Sequence, residues 1–565
     1  MNLNISANGI KSAQKNLDII GNNIANETVD GYRRQVSKNE ELPSIRTDGF
    51  YTGTGARTTG VEHTVDNIIY NNMLNQMGDK SFSESFSTYS QSIENLYQDN
   101  NSIGIAASLD KFFNTTTDLK NNMENSALEG VFVDDLNTLN GNLHILNNNL
   151  ENLRKEVIVD LNNDIEDLNY ELKELQTVVK ELSISFKPEM ADKQAMLEQS
   201  IMSKIDADVV YDSDGNYNLM IGNHRVLDKN SMRELNTDNN QINIGNINIT
   251  DVISKGSISA KAQIAISDNN EIDKNIYKLD LMASSLIKET NAIYSSKAFE
   301  TTRSKDFSTP NFDTIPLIDL PELKGLNPGD VTFTLHTDPT KEITININHK
   351  TTLEDFKNTL ATESNGEILM SYGNNSNVSI YSPNFPTNIS NDENTNFKQV
   401  MGFNKLLEGY DSKTIEVNRE IQKNPDSLFV SNDRLQNNVN YDILDGLADL
   451  QFKEVNYDDI VKYNDYYNKE YFNPSNTRIT SLDTHTIKDF YANITIDASR
   501  VVARSNDKLD LQSKILETTT TKYEENVNVN KDEELMNLMK YQAAYSANAK
   551  VISTMNELMD TILRM

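Results

Sequence analysis

Six histidines, one acidic loop, a Gly-x-Gly and adjacent acid pairs are the groupings in this 565-residue chain that could do chemistry. None of His63, His144, His224, His336, His349 and His485 stands at a metal-ligand spacing from another. The chain has no cysteine, which removes thiol nucleophiles, disulfides and thiolate zinc sites together and leaves the redox compartment open. Asp212-Ser213-Asp214-Gly215-Asn216 begins like a calcium loop. Its glycine is at the fourth position where the sixth is needed, however, and Asn223 stands where a bidentate Glu is required. A hairpin turn is the better reading. Gly53 and Gly55 lack the third glycine and the preceding buried strand of a dinucleotide site, which leaves a loop. Asp134-Asp135 and Glu533-Glu534 are neighbours at expected helix starts, where they suit the helix dipole. No catalytic residue, cofactor-binding residue or metal ligand is expected, and the chain reads as a non-enzyme.

The elements point to assembly instead. Near the start, Ile10, Ala13, Leu17, Ile20 and Ile24 recur at spacings of 3 and 4. At the other end Leu538, Tyr541, Tyr545, Asn548, Ile552, Met555, Met559 and Ile562 recur the same way, widened on one flank by Ala544, Val551, Leu558 and Met565. Such a repeat is the seam of a helix that packs along another helix. Asn548 is polar within its seam. It either fixes register among apolar neighbours or faces solvent. Neither helix is stable alone in water, so each end is expected to need a partner.

Composition excludes several partners. The net charge of −32 repels a nucleic-acid duplex, and the clustered Lys and Arg that would offset this are missing. It also disfavours anionic membrane surfaces. No apolar run reaches the length of a membrane span. The first 30 residues lack the continuous apolar block of a cleavable signal peptide. Taken alone this predicts a cytoplasmic protein, or one exported by a route that reads an uncleaved N-terminus.

Between the ends the pattern is nested. Residues 1–27 predict one helix, stopped by Gly31 in a left-handed or turn conformation. Residues 33–62, punctuated by Pro43, Gly49, Gly53, Gly55 and Gly60, predict a loop. Helix resumes near residue 64. Leu136, Leu139, Leu143, Leu146, Leu150, Leu153 and Val157 form one seam. A second, shifted by one residue, runs from Ile158 through Leu161, Ile165, Leu168, Leu172, Leu175, Val179 and Leu182. This is either one long helix with a phase slip or two helices with a tight join.

After Pro188, period-two alternation predicts strands over 205–211, 217–221, 242–244 and 247–249, then a helix with Ile276, Leu279, Ala283, Leu286, Thr290 and Ile293 on one face. Residues 301–410 are a Pro-rich island with a ββαββ order. Helix returns from about Ala448, with Ile487, Phe490, Ile494, Ala498 and Val501 aligned. The expected fold is multidomain α+β: terminal helices paired as a coiled-coil-like layer, a helical bundle, and outer β-rich domains inserted in the middle. The expected divisions are residues 1–32 with 530–565, 33–184 with 438–529, 185–300 with 411–437, and 301–410.

Gly21-Asn22-Asn23-Ile24-Ala25-Asn26-Glu27-Thr28-Val29-Asp30-Gly31-Tyr32 resembles the N-terminal signature of bacterial flagellar rod, hook and hook-associated proteins. The stretch from Asp532 to Met536, with Tyr541-Gln542-Ala543-Ala544-Tyr545 and Ala547 to Ile552, resembles the C-terminal half of the same family. Its motif residues here are Asn22, Asn23, Ile24, Ala25, Asn26, Thr28, Gly31 and Tyr32. Arg33-Arg34-Gln35 after Tyr32, the helical block from 64 to 183, and the segment from Asn437 to Gln451 resemble the hook–filament junction branch. One departure is Arg33, where the family often has Ser or Thr. In a turn it is expected to matter little.

The resemblance implies a structural subunit of the flagellum. Its terminal helices form the inner layer of a ring of copies around an axial channel, with a helical second layer and outward β domains. It implies hook protein below, the second junction protein (hook-associated protein 3) above, and an export chaperone on the C-terminal helix. It implies export by the flagellar type III route to an extracellular junction. The alternatives are a hook or distal rod protein within the family, and a secreted adhesin or host-binding protein outside it.

Overall fold

The computed structural model describes residues 2–29, 31–47, 50–64, 66–98, 104–122, 125–337, 339–373, 376–391, 394–425, 428, 439–467 and 483–564. The amphipathic repeats at the two ends form helices Asn2–Ala25 and Lys531–Leu563. Asn530 caps the second by accepting the amides of Asp532 and Glu533, with three acids in the first turn to match the dipole. The double seam in the middle is one continuous helix, Ser126–Ile184. The chain as a whole is α+β.

The fold divides into two compact units: Met1–Tyr89, Val157–Ser267 and Ala503–Met565 form one, and Ser90–Glu156 with Asp268–Val502 form the other. The slip in the long helix falls at this division. Leu136 to Leu150 are buried in the second unit, and Leu161 to Val179 in the first. The repeat shifts because the two halves answer to different cores. Residues 185–267 lie in the first unit and residues 268–300 in the second.

In the first unit, Leu161, Ile165, Leu168, Leu172 and Leu175 pack with Ile201, Leu219, Ile221, Ile242 and Ile244 in one apolar cluster. Two three-stranded antiparallel sheets supply its β part: Ala207–Tyr211, Tyr217–Ile221 and His224–Asp228, then Leu235–Asp238, Gln241–Ile244 and Ile247–Asn248. Asp212 accepts the amides of Asp214 and Asn216 at 2.9 and 2.8 Å, with Gly215 at φ +78°, so this acidic stretch is the turn of a hairpin. The break in character at Pro188 is the start of a helix, Pro188–Lys204, with Pro in its first turn.

Residues 33–62 are not a loop. Gln35–Glu41 pairs antiparallel with Ala56–His63, and Ile45–Thr47 with Phe50–Thr52. The usual apolar alternation is missing because the strand pair rests on a polar stripe of the N-terminal helix: Ser37 donates to Asn16 at 2.6 Å, and Ser12 bonds Thr58 at 3.1 Å.

In the second unit, residues 301–410 keep the ββαββ order and add three strands, one of which, Leu407–Glu408, pairs with Glu416–Val417. Lys341–Ile347, Gly329–Leu335 and Thr387–Asn391 form one sheet, and Thr301–Arg303, Val378–Tyr381 and Leu369–Tyr372 another. Helix Leu353–Glu363 starts on a capping box between Thr352 and Asp355. Phe333, Phe356, Phe397 and Phe403 fill the core.

Helix returns at Val439, earlier than Ala448; residues 437–438 of the junction-like segment lie outside the described residues. Val502, rather than Val501, completes the buried face begun by Ile487, Phe490, Ile494 and Ala498. Asp134-Asp135 lies inside the long helix, not at its start, and Asp135 accepts the Thr115 hydroxyl. Among the described residues no helix is long and apolar enough to cross a membrane, and no group of His, Cys, Asp or Glu could hold a metal ion.

Candidate assembly interface

Asn23 is the hub of the first unit's terminal region. Its side chain accepts the Gln35 amide at 3.0 Å and donates to the Gln35 carbonyl at 2.9 Å, standing in for a strand partner. The Tyr32 hydroxyl donates to the same Asn23 oxygen at 2.9 Å, and Asn23 Nδ2 also reaches Glu534 at 3.3 Å. Burial and the carboxylates of Asp192 and Glu534 push the Tyr32 hydroxyl up to about 12, so it remains a donor at any physiological pH. Gly31 makes the turn before it at φ +77°, where a Cβ would also meet the Met196 sulfur at 3.2 Å.

Two arginines then fix the chain. Arg34 binds Glu534 through Nε at 2.7 Å and Glu533 through Nη1 at 3.0 Å, and its amide donates to the Val527 carbonyl at 2.8 Å. Arg33 turns the other way, onto Asp192 at 2.8 Å, with both side chains largely buried. His63 packs beside this pair, 3.6 Å from Asp192, and burial lowers its pKa. Arg33 was expected to matter little. It forms an ion pair with a residue 159 positions away, which no local pattern could reveal. Glu533 and Glu534 likewise do more than suit a dipole: they are the anchor for Arg34.

The terminal helices run antiparallel. Asn23 meets Glu534, and a Cβ on Gly9 would lie 2.8 Å from the Asn548 side chain. From Asn23 to Gly9 and from Glu534 to Asn548 is fourteen residues each, in opposite directions. The same register puts Asn2 opposite Met555. Asn548 therefore faces the other helix across a glycine, and its Nδ2 donates to the Ala544 carbonyl at 2.9 Å. Past Met555 the described part of the N-terminal helix, Asn2–Ala25, offers no counterpart. Met559, Ile562 and Leu563 are 56%, 68% and 80% exposed.

The chain has separate matches to three family models. Residues 90–298 match the flagellar hook-associated protein FlgK helical domain, 3–33 the flagella basal body rod protein, and 520–565 the flagellar basal body rod FlgEFG protein C-terminal region. Flagellar hook-associated protein 1 of Salmonella typhimurium is 30% identical over 125 residues, which is 22% of each chain. By its longest match and its curated relative, the chain is similar to the FlgK-type flagellar hook-associated proteins. The protein of that name from Salmonella typhi matches to the same extent. Against these curated relatives the chain spans about a fifth of their length. The structure of the flagellar hook junction protein FlgK from Burkholderia pseudomallei is similar over 80% of this chain and 99% of that one, at 10% identity and a TM-score of 0.46. FlgK-type proteins are structural components and not enzymes.

The two terminal matches cover the paired helices. Ala13 and Ile20 are buried, while Ile10, Leu17 and Ile24 are half-buried. Leu538, Tyr541, Ile552 and Met555 are half-buried, and Tyr545, Met559 and Ile562 are exposed. Of the signature, Asn23 and Tyr32 are joined in the network above, and Asn26 folds back on the Asn22 carbonyl at 2.9 Å. Asn22, Ala25 and Thr28 are exposed. Sequence reasoning missed Asn16, a buried position one residue before the apolar seam that recurs with Asn23 at heptad spacing. That repeat is the signal that could have found it. Met565 and Asp30 lie outside the described residues.

Proposed function

We propose that this chain is the structural subunit that joins hook to filament, polymerising as a ring through its terminal helices. The observation that carries this reading is the apolar end of the C-terminal helix, which runs past its own partner with Met559, Ile562 and Leu563 exposed. An unpartnered apolar strip of this kind marks an interaction site. A second copy, offering the same antiparallel pair, would cover it. In this reading the seam residues Ile10, Ala13, Leu17, Ile20, Ile24, Leu538, Tyr541, Tyr545, Ile552 and Met555 hold the pair, and Met559 and Ile562 reach the neighbour.

The proposed partners are other copies of the chain, hook protein below and hook-associated protein 3 above. An export chaperone shields the C-terminal stripe before secretion by the flagellar type III route with the N-terminus uncleaved. The terminal helices gain order on assembly, as short helices without a full complement of packing do. A strain lacking the protein is expected to keep its hooks and shed filament monomer into the medium. Filaments of normal length on such a strain would overturn the reading.

A further inference from the structure

The second unit holds a cavity of about 800 Å³ whose wall carries five lysines, Lys288, Lys305, Lys324, Lys398 and Lys405, against one carboxylate, Glu322. This inverts the balance of a chain with 84 acids and 52 basic residues. The single acid offsets only Lys305, and only in part. Glu322 accepts the amides and hydroxyls of Ser308 and Thr309 at 2.7 to 2.9 Å, and these bonds hold its carboxyl down at about 2.

The amines find little else. Lys305 donates to the backbone carbonyl of Glu322. Lys398, only 6% exposed, has the Ser296 hydroxyl at 3.3 Å. Lys288 shares Glu289 with Lys453. Lys405 has no hydrogen bond or ion pair among the described residues. Its stem and amine lie over Gly402, whose φ is +78° and where a Cβ would come within 2.7 Å of Lys405 Cε. A glycine is thus what lets this amine sit at the cavity wall.

Burial pushes Lys305 and Lys398 down to about 8, with Lys405 adding repulsion to Lys305, and burial lowers Lys405 as well; Glu322 and Glu408 oppose the shifts of Lys305 and Lys405 in part. Buried cations in excess of their anions cost stability. A constellation that breaks this rule inside a formed cavity is where a ligand is expected.

We propose that this cavity binds a compact polyvalent oxyanion, a small molecule carrying phosphate or sulfate groups, held by Lys305, Lys398 and Lys405. Its volume suits a ligand of nucleotide or disaccharide size. The inference is independent of how the terminal helices assemble.

Calorimetric titration of the full-length chain at low salt tests it, with inorganic pyrophosphate, a nucleoside triphosphate and a sulfated disaccharide as probes. The three probes separate phosphate from sulfate and small from large. At least one should bind saturably at one site. Lys398→Met and Lys405→Met should each weaken that binding about tenfold, the loss of one charge-assisted contact. Lys305→Met, on a half-buried side chain, serves if one of these variants does not fold. No saturable binding of any probe overturns the proposal, and so does binding left undiminished in every folded variant.

Discussion

Arg34 donates from Nε to Oε1 of Glu534 across 2.7 Å, and Glu534 is 2% exposed although it stands in the first turn of the final helix. The two residues are 500 positions apart. Their pair closes a loop formed by the whole chain, and the adjacent Asn23 contact closes it a second time.

Removing one partner of that pair should therefore loosen both ends. Arg34→Ala strands a buried carboxylate, which costs about 3–5 kcal/mol when fully desolvated. Solvent reaches Arg34, so about 2 kcal/mol is expected. Amide exchange should speed up through Asn2–Ala25 and the start of Lys531–Leu563, while the 301–410 module is unchanged. Protection left intact at both ends would show that the pair is incidental.

The register of the helices rests on Gly9 facing Asn548. Gly9→Leu keeps a good helix former but crowds Asn548, and overpacking of this kind costs about 1–3 kcal/mol. Adding Asn548→Ala should restore part of the loss. A double variant as weak as the sum of the singles would place the two residues apart.

Asp280 gives the second unit a pH signature. Burial, with Asp411 and Glu151 nearby, raises its carboxyl to about 7, opposed by hydrogen bonds from Ser412. Between its unfolded value near 4 and about 7 the native state holds a proton that the unfolded chain has released, so stability from this group falls as pH rises through that window. Asp280→Asn should flatten this part of the profile and raise the unfolding temperature above pH 7. Thermal scans of both chains from pH 4 to pH 8 read this directly. Parallel profiles would refute it.

Arg33 bears on His63. Burial is the main cause of the lowered histidine pKa, Asp192 raises it, and Arg33 lowers it. Arg33→Ser, the residue type common in the family signature, leaves Asp192 to act alone. The His63 pKa should then rise, as followed by proton resonance of the imidazole during titration. No change, or a fall, would mean that Arg33 is not set against this ring.

The extent to which this fold is legible depends on whether a residue's partner is apolar. The Leu seam of Ser126–Ile184 and the alternation of Gly329–Leu335 against Lys341–Ile347 are visible because burial of an apolar face imposes a period. The strand pair Gln35–Glu41 and Ala56–His63 is invisible because it rests on Ser12 and Asn16, which impose none. The roles of Arg33 and Glu534 are set by ion pairs spanning 159 and 500 residues, and local pattern carries no record of them. Asn23 was readable only as part of a family signature, and its hydrogen bonds to Gln35 show why that position needs an amide.

Hook attachment by a chain ended at Met555 tests the assembly claim most directly. The described residues past Met555 are exposed, so the shortened chain should unfold at the same temperature as the full one. It should nevertheless fail to attach to isolated hooks. Attachment at the level of the full-length chain would contradict the account.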